Sequence, residues 1–119
     1  MKTWAFTVLA LVGLALPALA HTPLTSSVPA AASTVPAPVK EIVLEFGGDV
    51  RLTALALTDA VGAKKAVADL PTAIQKKFTV AIRDELVPGD YVATWRAVGA
   101  DTHVVSGEIK FSVAAAHSH

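Results

Sequence analysis

Beyond residue 40 the chain alternates apolar and polar residues with a period of two, and no stretch there keeps a helical period. Glu41-Ile-Val-Leu-Glu-Phe46 reads as a strand that Gly47-Gly48-Asp49 ends. Arg51 to Thr58 alternates next, with Leu52, Ala54 and Ala56 on one face and Thr53, Leu55 and Leu57 on the other. Lys77 to Ile82 repeats the pattern. Tyr91 to Val98 places Tyr91, Ala93, Trp95 and Ala97 on one face, which assigns Tyr91 and Trp95 to a core. Gly107 to Val113 sets Ile109, Phe111 and Val113 against Glu108, Lys110 and Ser112. Shorter elements complete the set: a first strand over 24–28 and a brief one over 66–70. Asp59-Ala-Val-Gly62 and Leu86-Val-Pro-Gly-Asp90 are turns, and Thr72 to Lys77 forms at most a single helical turn. Pro29 to Pro38, small and proline-punctuated, reads as a surface connection. About seven short strands separated by turns predict an all-β fold, a single antiparallel β-sandwich.

The first twenty residues follow a different pattern. Lys2 is followed by an apolar run from Ala5 to Leu16, then Pro17 and the small residues Ala18 and Ala20. A charged start, an apolar centre and an A-x-A site are the marks of a secretory leader. The run is shorter than the roughly 20 residues that span a bilayer. Residues 1–20 are therefore expected to be a Sec signal peptide cut between Ala20 and His21, which exports residues 21–119 to the periplasm as one small domain.

Composition narrows the chemistry. Ten basic and 10 acidic residues balance, and only Lys2 among them lies in the leader. A near-neutral domain has no electrostatic case for nucleic acid or an anionic membrane. There is no cysteine, so an exported domain must rest on its hydrophobic core, and thiolate chemistry is excluded. The one methionine is Met1, which leaves with the leader. No glycine-rich phosphate loop or serine–histidine–aspartate set is present, so no enzyme activity is expected.

Chemistry gathers instead at two separated places. In Ala100-Asp-Thr-His-Val104 a carboxylate and an imidazole stand two residues apart, a spacing that points both to one face of extended backbone. Together they are half of a divalent metal site; the plainer reading is a loop carboxylate orienting its neighbour. Cleavage before His21 would add a free α-amine and a ring Nδ1 that close one chelate ring. With a nitrogen of His103 and an oxygen of Asp101 the donors number three nitrogens and one oxygen, a set suited to tetragonal Cu(II). The amine, with an unperturbed pKa of roughly 7.7–8.0, must lose its proton first, so binding weakens on acidification. His117 and His119 end the chain in a segment, about 114–119, read as a flexible tail; an accessory copper or zinc contact is the other reading.

These motifs resemble the CopC family of periplasmic copper-resistance proteins. The matching residues are His21-x-x-Leu24 with Ser26-Ser-Val-Pro29-Ala30, Leu57-Thr-Asp-Ala-Val-Gly62, and Pro88-Gly89-Asp90-Tyr91 with Thr94-Trp95-Arg96. Asp101-Thr-His103-Val-Val-Ser-Gly107 and Phe111-Ser-Val113 complete the match. The resemblance implies a Greek-key sandwich of cupredoxin-like or immunoglobulin-like type. It implies a site for one Cu(II) per chain at His21, Asp101 and His103, a role as copper carrier or buffer in homeostasis or resistance, and a membrane partner of the CopD type. A monomer is expected. Some members carry a second, Cu(I) site built from methionines; the corresponding stretch here is Gly62-Ala-Lys-Lys-Ala-Val67, so that site is expected to be missing. Members also often place a carboxylate two residues after the phenylalanine of the second strand. Here Asp49 falls one place late, and it is not counted as a ligand. Two other classes compete: a histidine-brace copper oxidase of the polysaccharide monooxygenase type, and a metal-free immunoglobulin-like interaction domain. The first lacks an aromatic sugar-binding face, and Asp101 would fill a position that oxygen chemistry keeps open.

Overall fold

The computed structural model describes residues 24–116, and every regular element in that span is a strand. In chain order they are β1 (Leu24–Val28), β2 (Thr34–Pro36), β3 (Glu41–Asp59), β4 (Lys64–Lys65), β5 (Gln75–Ala81), β6 (Gly89–Gly99) and β7 (Val104–Ala114). His21, His117 and His119, the leader and its cleavage site lie outside the described residues.

β3 organises the molecule. Its first part pairs with β1 on one edge and β5 on the other. Its second part, from Val50, pairs with β6 and β4. β7 then adds to β6, and β2 to β7. Two layers result, joined by the one strand that runs through both. Between them lies the core, with Leu44, Val50, Phe78 and Ala97 fully buried. Phe46 of one layer meets Trp95 of the other edge-on, ring centroids 5.2 Å apart, and meets Phe78 at 5.9 Å. Such aromatic contacts add about 0.5–1.5 kcal/mol each beyond the area they bury. Tyr91 is buried and donates its hydroxyl to the Val87 carbonyl at 2.6 Å, tying the preceding loop to the sheet.

The alternating strands lie where their patterns place them: Tyr91, Ala93, Trp95 and Ala97 are all buried, as are Ile109, Phe111 and Val113. Five expectations are corrected. Gly47-Gly48-Asp49 does not end a strand; β3 is continuous over 19 residues, and the pairing to β5 shifts register between Glu45 and Val50. Without side chains the glycines let the strand bend from one layer to the other. Strict alternation also fails inside β3. A bulge between Leu52 and Ala54 inserts a residue, so Leu52, Leu55 and Leu57 all reach the core. The Pro29–Pro38 connection contains β2, which pairs in parallel with β7, so the sheet is not purely antiparallel. Residues 66–70 form no strand; β4 is the lysine pair before them, and Val67 makes one isolated bridge to Ile82. Thr72 to Lys77 makes no helical turn, because Gln75 already opens β5.

Candidate metal centre

The β6–β7 hairpin closes through residues 99–103. Gly99 N–H donates to the His103 carbonyl at 2.9 Å, and Thr102 N–H donates to the Gly99 carbonyl at 2.9 Å. Thr102 takes a left-handed backbone, φ 67°, and its hydroxyl donates to the Asp101 carbonyl. Asp101 uses both carboxylate oxygens on His103. Oδ1 accepts the His103 backbone N–H at 3.1 Å, and Oδ2 lies 2.8 Å from the ring Nδ1. Both side chains are more than half exposed, 54% and 68%. The hydrogen bond from the His103 backbone, then that from its ring, hold the Asp101 carboxyl below the ordinary carboxylate value.

The two side chains are thus together, but not for the reason that extended spacing gave. Asp101 and Thr102 are turn residues, and the pair meets through an aspartate turn. That turn was readable from the sequence, since aspartate side chains commonly bond the backbone two residues on. Asp101 and His103 contact each other in the described structure; His21 is outside it. Among the described residues no group of three histidine or carboxylate side chains could hold a metal. Asp49 is exposed on the bend of β3.

The register locates the amino end of the described chain relative to this loop. Glu45 pairs with Ser26 of β1 and with Lys77 of β5, so those strands lie on opposite edges of β3. Val50 pairs with Gln75 of β5 and with Gly99 of β6. β6 therefore shares the β1 edge. Leu24 stands opposite Phe46 and Gly99 opposite Val50, so the start of β1 and the end of β6 flank the bend of β3 on the same side. Leu24 packs against the core, and the Thr25 hydroxyl donates to the Glu45 carbonyl at 3.0 Å, which fixes the start of β1.

A two-layer β-sandwich with an exposed imidazole–carboxylate loop beside the beginning of its first strand is a small donor-presenting domain. The comparisons with known proteins give it a family. The CopC domain model matches residues 24–114. Copper resistance protein C of Escherichia coli is 36% identical over 111 residues, covering 85% of this chain and 87% of the relative. The crystal structure of PcoC, a methionine-rich copper resistance protein from Escherichia coli, superposes with a TM-score of 0.67 at 36% identity, covering 80% of this chain and 100% of that one. CopC from Methylosinus trichosporium OB3b superposes at 0.70 with 26% identity, covering 83% and 99%. The chain belongs to the CopC family.

Proposed function

We propose that this chain is a periplasmic Cu(II)-binding protein, a carrier or buffer and not a catalyst, whose site is completed when the leader is cut before His21. The observation that carries the reading is the shared edge of β3. It sets Leu24 beside the strand end from which the Asp101–His103 loop springs. His21 lies three residues before Leu24, a reach of about 10 Å in extended chain. The donors would be the amine and ring Nδ1 of His21, a ring nitrogen of His103, and the Asp101 carboxylate. They fit Cu(II), which heads the divalent series for nitrogen and oxygen ligands.

The copper named for the relatives supports the same cargo here. The methionine-rich character of PcoC does not carry over: Met1 is the only methionine, and there is no cysteine. Thioether and thiolate donors select Cu(I), so this chain holds one Cu(II) and binds Cu(I) poorly. An exposed loop suits transfer, because a partner can reach the donors without unfolding the sandwich. A CopD-type inner-membrane protein is the expected recipient, with the carrier acting as a monomer.

Competition titrations with chelators for each oxidation state test the proposal on protein that begins at His21. One tight Cu(II) per chain, lost in His103→Ala and kept when His117 and His119 are removed, is expected. Equal affinity for both oxidation states, or loss of binding on tail truncation but not in His103→Ala, overturns it.

A further inference from the structure

The two outer faces of the sandwich differ in charge, although the chain as a whole is formally neutral. On the first layer Glu41 and Glu45 are exposed, and Lys77 stands opposite Glu45. On the second layer the outward positions of β3, β6 and β7 carry Arg51, Arg96 and Lys110, and Lys64 of β4 stands opposite Thr58. Two carboxylates share that face. Glu108 lies midway along it, and Asp90 lies at the end far from the 99–103 loop, where it accepts the Ser112 hydroxyl at 2.6 Å. The half next to the loop holds Arg51 and Arg96 and no carboxylate; Asp49 and Asp101 belong to the bend and the loop beyond it. Arg51 stands opposite Val98, and Arg96 is two residues from Val98 on the same face, so the two arginines are diagonal neighbours across the ladder. Neither they nor Lys64 and Lys110 form an ion pair among the described residues. Like charges placed side by side are unfavourable for folding, and no neighbouring carboxylate offsets these.

The ground between the cations is short. Ala54, Ala56 and Thr94 let another surface approach the sheet closely. Val98 and Val104, paired at the base of the loop, add an apolar spot, with Val104 60% exposed. The ladder runs about 30 Å and its three strands span about 14 Å, so the face offers on the order of 400 Å². That is the footprint of a weak, transient encounter, which suits a carrier that must let go.

We propose that this face docks an acidic protein surface, and that the docked protein takes copper from the adjoining loop. The second clause rests on the copper reading; the first stands on the charge and shape of the face. A lipid surface fits less well. Among the described residues Val104 is the one exposed large apolar side chain on the face, and interfacial binding draws on inserted Trp, Phe or Leu. A second copy also fits less well, because its own acidic face sets Lys77 opposite Glu45.

The test uses the chain from His21 to His119 without metal, with a short polyglutamate peptide as probe. Amide spectra titrated at low salt should shift around Arg51, Arg96 and the start of β7, and the shifts should vanish at high salt, which screens exposed charges. Arg51→Thr with Arg96→Thr keeps strand-forming residues at both positions. This pair should weaken the peptide about 2- to 30-fold, the range that two exposed ion pairs supply. Lys76→Thr with Lys77→Thr removes the same charge from β5 and should weaken it distinctly less. Cu(II) affinity by chelator competition should be unchanged in both pairs. Transfer of Cu(II) to a CopD-type protein in nanodiscs should slow in the arginine pair alone, since charges at a docking rim act on association. Shifts centred on Lys76 and Lys77, equal weakening by the two pairs, or transfer from the arginine pair at the wild-type rate overturns the proposal. So does tight binding to phosphatidylglycerol–phosphatidylcholine vesicles with no response to the peptide, or a dimer in sedimentation that the arginine pair abolishes. If the peptide seats on this face but the chain takes up no Cu(II) tightly, the docking assignment is upheld and the copper reading falls.

Discussion

The β6–β7 hairpin contains two regions built on opposite terms. Its tip is exposed over residues 100–103 and held by hydrogen bonds within the loop. Lower down, Trp95 is buried against Phe46 and pairs with Gly107 on the neighbouring strand. There the packing leaves no slack: a Cβ on Gly107 would stand 2.8 Å from the Trp95 ring. On the proposed reading, binding and folding are carried by separable residues of one hairpin. The tip is exposed and its side chains bond within the loop, so it makes little demand on the core. The base supplies the rigidity that keeps the tip in register with the start of β1.

Substitutions at the base should sharpen the contrast most. Trp95→Ala removes the largest ring of the interlayer contact and should cost about 3–5 kcal/mol in denaturant unfolding. Gly107→Ala drives a methyl into the same ring; overpacking of this kind costs about 1–3 kcal/mol. At the tip, Asp101→Ala and His103→Ala should each leave unfolding stability within about 0.5 kcal/mol of wild type, while weakening Cu(II) binding. A large stability loss from either would break the comparison.

The smallest effect depends on pH, at the β3–β4 turn. Asp59 accepts the Ala63 N–H at 2.8 Å and the Val61 N–H at 3.0 Å. The bond from Ala63 chiefly holds its carboxyl below 3.8, against an opposing desolvation, with lesser help from Val61 and Lys65. A lowered carboxylate pKa gives stability that is present above the unfolded value and lost as pH falls through the folded one. Asp59→Asn should therefore lose a small part of the neutral stability and flatten the acid limb below 3.8, where the two proteins converge, as acid-unfolding curves of the two would show.

The regularly alternating strands were legible in the sequence and the bends were not. β1, β6 and β7 follow strict alternation or clear turn signals, so Tyr91, Trp95, Ile109 and Phe111 were assignable to the core from their spacing. β3 was not readable as one strand, because Gly47-Gly48-Asp49 has the composition of a turn while serving as a bend between layers. The bulge after Leu52 was equally hidden, since an inserted residue leaves no mark but a shift of phase. β2 has three residues, one of them Pro36, with Pro38 just beyond, too little pattern to separate it from a loop. At the candidate site, the spacing of Asp101 and His103 marked the pair, but their hydrogen-bonded turn depends on the left-handed Thr102, a residue type that seldom takes that conformation.

The central claim is that cleavage before His21 creates the metal site, and the affinity of two amino termini tests it most directly. One protein begins at His21; the other carries a single added residue before it, which turns the α-amine into an amide. Without that amine the chelate ring with Nδ1 cannot form in the same way, while the sandwich, which the described strands hold together, is untouched. Chelator competition should show Cu(II) binding weakened by orders of magnitude in the extended protein, with a changed EPR spectrum. Equal affinity and identical spectra would contradict the account and remove the amino terminus from the site.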